Sequence, residues 1–331
     1  MIKKLWASSL ALVGGVMSFA LSAGAAGAQD YPQRPITIVV GAAAGGSSDT
    51  AARVIADRMS AILGQQVVIE NVPGAGGMTG SARVARAEPD GYTLLMQQIG
   101  LVTLPALYPK LTFDVEKDLT AVGLVNTTYS FLVGRKSLPA NNWAEVKAWM
   151  NGPGKPAKVA HPGAGTLGHL TAVLLGKAAG VDVNLIPYRG VGPAMNDLVG
   201  EHVDLTFGSS PVAIPLINSG AIKVYAFGDT KPHAAMPNVP AFSQVGHPEL
   251  STPFWHALFV PAATPPAIIN KLNAALRETL ADPQVKKAYQ DKDIEVFPPD
   301  QLTPQAANAY VREELQRWGK VIRDNNIKVD Q

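Results

Sequence analysis

VVGAAAGGSSDTAARVIADRM, residues Val39 to Met59, joins an apolar run to a glycine bend and then to an amphipathic helix. Gly41, four residues, Gly46, Ser47 and Ser48 reproduce the spacing of the phosphate-binding loop G-x-x-x-x-G-K-[ST] with one substitution. Ser47 stands where the lysine belongs. Without that cation the loop cannot neutralise a triphosphate, but it keeps the free backbone N–H groups of a helix N-terminus, which favour an anion. The expected guest is therefore anionic and less charged than ATP. In the helix, Ala51, Val54, Ile55, Met59, Ile62 and Leu63 share one face and Gly64 closes the element.

Outward from this unit the pattern strand, bend, helix recurs. Ile36 to Val40, Val67 to Ile69 and Tyr92 to Met96 are short apolar runs bounded by glycine or proline, as buried parallel strands are. From about Phe131 a second set begins: Phe131 to Val133, Lys158 to Ala160, Val183 to Pro187, Asp204 to Phe207 and Lys223 to Phe227, with helices such as His169 to Ala179 and Pro193 to Val199. After a proline-rich connection (Pro232, Pro237, Pro240, Pro248, Pro253), a strand from His256 to Val260 leads to helical patterns over Pro266 to Leu280 and Pro304 to Arg323. In the last of these Ala307, Tyr310, Val311, Leu315, Trp318 and Ile322 form a packing stripe. The alternation predicts two doubly wound α/β lobes joined by crossing strands. Residues 29–129 with 253–331 are read as the first lobe and 130–252 as the second.

The first 28 residues carry Lys3 and Lys4, an apolar stretch from Leu5 to Leu21 and the small-residue run Ala26-Gly27-Ala28, the anatomy of a cleaved secretory signal. A membrane anchor would need about 20 apolar residues and a stop-transfer flank. The mature chain is expected to start near Gln29, in the periplasm. The leader holds no acid, so 26 of the 28 basic residues remain against 26 acidic ones, and no basic stripe suggests nucleic acid. The chain has no cysteine, which excludes disulfides and thiolate metal sites.

A second bend mirrors the first: in VAHPGAGTLGHLTAVLL, Val159 to Leu175, a strand ends, Pro162 to Thr166 turns and a helix starts near Leu167. Both bends fall at the carboxyl ends of strands, where open α/β sheets bind ligands. Two helix N-termini across a cleft, each with about half a positive charge, could hold a carboxylate without any arginine. The hydroxyls of Ser47, Ser48, Thr166 and Ser209 would add donors or acceptors. Replacing Gly46 or Gly165 by a β-branched residue is expected to block backbone approach. The plainer alternative is that these glycines only make tight turns and that Ser48 or Asp49 caps a helix.

PGAGGMTG, Pro73 to Gly80, has G-x-G-x-x-x-G spacing instead of the dinucleotide fingerprint and no acid at a strand end about 20 residues on. It is read as a packing turn and no cofactor is expected. His161, His169, His202, His233, His247 and His256 show no paired metal spacing, and no G-x-S-x-G elbow occurs. No metal site or catalytic set is expected. His169, in the second helix, is the histidine nearest to chemistry, with a capping or core-edge role as the alternative.

YPQRPITIVVGAAAGGSSDTAAR, ENVPGAGG, PDGYTLL, AHPGAGTLGHL, IPYRGVGPAMNDLVGEHVDLTF and FVPAATPP resemble, in this order, the hallmark segments of the tripartite tricarboxylate transporter receptors, the Bug-type periplasmic solute-binding proteins. The resemblance spans nearly all of the mature chain. It implies a type II periplasmic binding protein fold, a Venus flytrap without enzymatic activity. It also implies a monomer that captures a small organic acid and docks on membrane permease subunits. The family grips a carboxylate, commonly through waters, with the G-G-x-x-D turn, here Gly45, Gly46 and Asp49, and the G-x-G-T turn, here Gly163, Gly165 and Thr166. The expected ligand-binding set is Ala43, Ala44, Gly45, Gly46, Ser47, Ser48, Asp49 and Gln97 from the first lobe, with Gly163, Ala164, Gly165, Thr166, His169 and Ser209 from the second.

Departures from the family pattern bear on the solute. Ala42, Ala43 and Ala44 replace the usual aromatic and proline residues, Val173 lies near the place of a common acid, and Gln97 and Gln98 replace small residues. A roomier wall and two amides point away from citrate-like or amino-acid ligands and towards an aromatic mono- or dicarboxylate. Two other readings stay open: a secreted hydrolase or transferase pairing a seryl hydroxyl with His169, and a ligand sensor for a signalling kinase.

Overall fold

A computed structural model of the chain describes residues 31–152, 156–229, 233 and 236–329. The expected leader and its cleavage point lie outside the described residues. The strands are β1 Ile36–Val40, β2 Val67–Asn71, β3 Thr93–Gln98, β4 Leu119–Thr128, β5 Ser130–Arg135, β6 Ala157–His161, β7 Val183–Pro187, β8 Leu205–Ser209, β9 Ile222–Phe227, β10 Phe254–Pro261 and β11 Ile294–Val296. Between them lie α1 Ser47–Leu63, α2 Met78–Ala85, α3 Gly100–Leu107, α4 Val115–Asp118, α5 Trp143–Met150, α6 Leu167–Ala179, α7 Val191–Val199, α8 Ser210–Asn218, α9 Pro266–Ala281, α10 Pro283–Gln290 and α11 Pro304–Asp324.

Two sheets result. The first has the order β11-β4-β10-β3-β1-β2 and the second β7-β6-β8-β5-β9. β1 pairs in parallel with β2 and β3, and β6 with β7 and β8, each through a crossover that packs a helix on the sheet. Not every pairing is parallel: β10 runs antiparallel to β3 and β4, β11 to β4, and β5 to β8 and β9. A strand arriving from the other sheet needs no crossover helix beside its neighbour, so either direction is open to it. Tyr129 alone separates β4 from β5, which sit in different sheets, and the chain returns to the first sheet after β9.

The apolar patterns pack as their spacing requires. Ile36, Ile38, Val39 and Val40 are buried in β1, while Val68 on the edge strand β2 is exposed. In α1, Ala51, Ile55, Met59 and Leu63 are buried against the sheet, and Gly64 ends the helix at φ 70°. Ala307, Val311, Trp318 and Ile322 bury the predicted stripe of α11, which also carries a buried Glu314. That carboxylate accepts the indole N–H groups of Trp255 (3.0 Å) and Trp318 (3.2 Å) and an Arg317 N–H at 2.9 Å. Among the described residues no helix is long and apolar enough to cross a membrane.

β4 shows no strong pattern in the sequence because Gly123 interrupts it. A Cβ there would lie 3.0 Å from Asn273 Nδ2 and 3.2 Å from the Leu302 carbonyl oxygen. Buried Asn273 of α9 spends both amide protons at this point, donating to Val122 O (2.8 Å) and Leu302 O (2.7 Å). Asn273→Leu should therefore strand two carbonyls and lower the unfolding free energy by about 2–6 kcal/mol, at about 1–3 kcal/mol per unsatisfied group. Urea titration followed by tryptophan fluorescence measures it; an unchanged midpoint would mean that the carbonyls find other partners.

Candidate functional site

The bend before α1 is braced from below. Asp49 accepts from Gly45 N–H (2.9 Å), from Asn71 Nδ2 (3.1 Å) and from Arg53, while Asn71 Nδ2 also donates to Ala42 O at 3.1 Å. Burial opposes ionisation of Asp49, but the hydrogen bonds of Arg53, Gly45 and Asn71 outweigh it and hold the carboxyl below its usual range. Gly46 O accepts from Thr50 N at 2.9 Å, so the first-turn N–H groups ahead of it have no partner within the helix. The residue needing positive φ is Gly45 (80°), whereas Gly46 sits at φ −82°, which a side chain tolerates.

The bend before α6 is held by its own side chains. Thr166 accepts from His169 N–H at 3.3 Å and donates to Gly163 O at 2.7 Å, and His169 Nδ1 accepts from Gly165 N–H at 3.2 Å. Burial, and then the neighbouring His161 ring 4.6 Å away, lower the His169 imidazole to about 4. His169 is thus a neutral brace for the bend.

Both bends open on one cavity, whose void, the open mouth included, is about 610 Å³. A third helix N-terminus joins them: Tyr188, Arg189, Gly190 and Val191, at the start of α7, line the same space. The sheets meet around it. Thr103 donates to Gly165 O at 2.6 Å, and Gly190 (φ 141°) lies so close that a Cβ would be 3.1 Å from Ala43 Cβ. Gly76 (φ 65°) comes closest of all, since a Cβ there would fall 2.2 Å from Ala164 O.

Of the residues expected from the sequence, Ala43, Gly46, Ser47, Ser48, Gly163 and Thr166 line the cavity. The others stand behind it. Asp49 and Gly45 are tied to each other, Ala164 and Gly165 face the first lobe, and Ala44 lies beside the α7 bend at Gly192. His169 braces its loop, and Ser209 is buried at the end of β8. Gln97 is turned away: its Nε2 donates to Gly77 O (3.3 Å) and Ser81 Oγ (3.2 Å). Strand alternation sends the next residue, Gln98, into the lining instead.

Three features of the lining escaped the sequence reading. Pro73 to Gly77, taken for a packing turn, forms part of the wall, and Phe254 forms another part. Arg189 also lines the cavity, the one charged residue to do so among the described residues. The signal for the α7 bend was present: strand Val183–Pro187, a glycine and a helix repeat the form of the first two bends. Among the described residues no group of three His, Asp or Glu side chains could hold a metal ion.

The sequence pattern of the tripartite tricarboxylate transporter family receptor matches residues 51–327. The chain belongs to this family. The UPF0065 protein in the TAR-I ttuE-ttuC' intergenic region of Agrobacterium vitis is 39% identical over 298 residues, 90% of this chain and 86% of that protein. The receptor's structure is similar to periplasmic binding protein BugD, with 34% identity and a TM-score of 0.87 over 90% of this chain and 100% of BugD. It is also similar to MatC of Rhodopseudomonas palustris with bound malate, with 35% identity and a TM-score of 0.84 over 88% of this chain and 100% of MatC. Two-lobed α/β architecture and Bug-type receptor membership are thus established together.

Gly76→Ala should disfavour the contact with Ala164 by about 1–2 kcal/mol from its left-handed conformation alone, a roughly 5- to 30-fold loss of affinity for any solute held between the lobes. Calorimetric titration measures it, and undiminished affinity would mean that binding does not need this contact. For pH, an unfolded imidazole takes up a proton near 6.5, whereas folded His169 stays neutral to about 4. Its contribution is intact above 6.5 and stability is lost as pH falls towards 4. His169→Gln, which keeps an acceptor for Gly165 N–H, should shrink the drop in Tm between pH 7 and pH 4.5; an equal drop would assign the acid sensitivity elsewhere.

Proposed function

We propose that this protein is a periplasmic receptor that closes over a small organic carboxylate and delivers it to the membrane permease of a tripartite transporter. The observation that carries this reading is the convergence of three helix N-termini on one cavity whose lining includes Arg189. Each N-terminus offers N–H groups and about half a positive charge to an anion. Residues 29–129 with 253–331 act as one lobe and 130–252 as the other, ligand supplying contacts that exist only when they meet. The proposed ligand-binding residues are those of the expected set that reach the lining, joined by Gln98, Tyr188 and Arg189. The remainder of that set holds the bends in shape.

Malate in the related MatC supports a dicarboxylate as solute. Pro73, Pro162, Tyr188 and Phe254 give this cavity flat apolar walls between its polar ends, which suits an aromatic acid as well as a short aliphatic one. A receptor is favoured over a hydrolase because His169 spends Nδ1 on Gly165 N–H, and no seryl hydroxyl among the described residues bonds to it.

The test is calorimetric titration with a panel of aliphatic and aromatic mono- and dicarboxylates, each bound acid then being recovered. The expected result is one-to-one binding, unchanged acid and a raised Tm, with about 2.7 kcal/mol of added stability at a hundredfold excess over Kd. Arg189→Gln should weaken a dicarboxylate by roughly 10- to 100-fold, the range of a hydrogen bond to a charged group, and a monocarboxylate less. Failure of every acid to bind, or chemical conversion of one, would overturn the proposal.

A further inference from the structure

Beneath the first bend runs a chain of buried polar groups that no part of the carboxylate grip requires. Ser48 lines the cavity, and its Oγ lies 3.1 Å from His256 Nε2; His256 Nδ1 lies 2.8 Å from Asn126 Oδ1. His256 and Asn126 are opposite each other on the paired strands β10 and β4, and both are wholly inaccessible to solvent. The Asn126 amide lies beside the Tyr289 hydroxyl with its Nδ2 making no hydrogen bond, and that hydroxyl donates to Ala51 O at 2.9 Å.

Direction in this chain is set at its far end. A carbonyl oxygen can only accept, so the Tyr289 proton points at Ala51 and the phenol oxygen offers lone pairs to Asn126. Turning the Asn126 amide over would place its oxygen against those lone pairs, so Nδ2 faces Tyr289 and Oδ1 faces His256. A ring nitrogen 2.8 Å from a carbonyl oxygen must carry the proton, which puts it on Nδ1. Burial lowers the imidazole to about 3, so the ring is neutral and Nε2 bears a lone pair. Ser48 then donates inward.

We infer that Ser48 shows the cavity only its lone pairs, and that the preferred solute is an acid carrying a hydroxyl that donates to Ser48 Oγ. The inference rests on the carboxylate reading of the cavity and narrows it. The serine, imidazole and amide are arranged like a hydrolytic triad, but an imidazole this weakly basic holds a hydrogen bond at neutral pH and takes up no proton. Ser48 acts as a specificity-determining residue, with His256 and Asn126 positioning it. A ligand without a hydroxyl would leave the Oγ lone pairs facing a carboxylate or carbon.

Matched acids differing only by the hydroxyl test this: L-malate against succinate, and mandelate against phenylacetate, titrated into the wild type and Ser48→Ala. The wild type should bind the hydroxy acid of a pair about tenfold or more tighter, as expected for one buried hydrogen bond. Ser48→Ala should abolish that preference, the two acids of each pair then binding with equal affinity. Equal affinities in the wild type, or a preference that survives in Ser48→Ala, would overturn the inference while leaving the carboxylate reading intact. Long-range proton–nitrogen spectra of histidine-labelled protein test the proton positions without any ligand, the His256 signals being assigned by their loss in His256→Gln. Protonated Nδ1 with bare Nε2 is expected. A proton on Nε2 would contradict the inference even if no acid of the panel bound.

Discussion

A backbone N–H at the first turn of a helix has no partner within that helix, and the shape of this receptor's cavity depends on where such groups are left open. Three helices begin there, at Ser47, Leu167 and Val191, each directly after a strand edge. Exposing peptide groups to a ligand requires small residues, which is why the wall is built from alanine, glycine and serine where an ordinary cleft would show long side chains. The bends still have to be rigid. Asp49 and Asn71 supply rigidity at the first bend, and Thr166 with His169 supplies it at the second.

The same small residues let the two sheets approach. Gly76 passes Ala164 at a distance no side chain would allow, Gly190 packs tightly against Ala43, and Thr103 ties its hydroxyl to the Gly165 carbonyl. These contacts lie at the rim of the cavity, so on the proposed function whatever fills the cavity and whatever brings the lobes together act on one set of residues. Coupling of this kind needs no long pathway, because the ligand itself forms part of the interface.

Much of this was legible in the sequence. The alternation of apolar runs with glycine bends gave two α/β units, and the first two helix N-termini fell where the pattern put them. Strand direction was not legible, because β5 and β10 owe theirs to the passage between sheets, a long-range property. β4 was hidden by Gly123, whose place is explained only by Asn273, far along the chain. Within the site, the sequence marked residue types correctly and side-chain directions poorly: Gln97 and Gln98 are adjacent, yet only the second reaches the cavity. Asp49 and His169 are polar and near glycine, and the structure hydrogen-bonds both within their own lobes, Asp49 to Gly45 and Asn71 and His169 to Gly165. Arg189 carried no signal in isolation, since an arginine before a glycine is common on surfaces; its place at a third bend gives it meaning.

A crystal structure of the receptor with its acid bound is the most direct measure of the central claim. The account predicts a carboxylate oxygen within hydrogen-bond distance, directly or through one water, of the backbone N–H groups at the start of α1 and of a second helix across the cleft. An acid seated away from these bends, or held by side chains alone while the helix N-termini face bulk solvent, would contradict it.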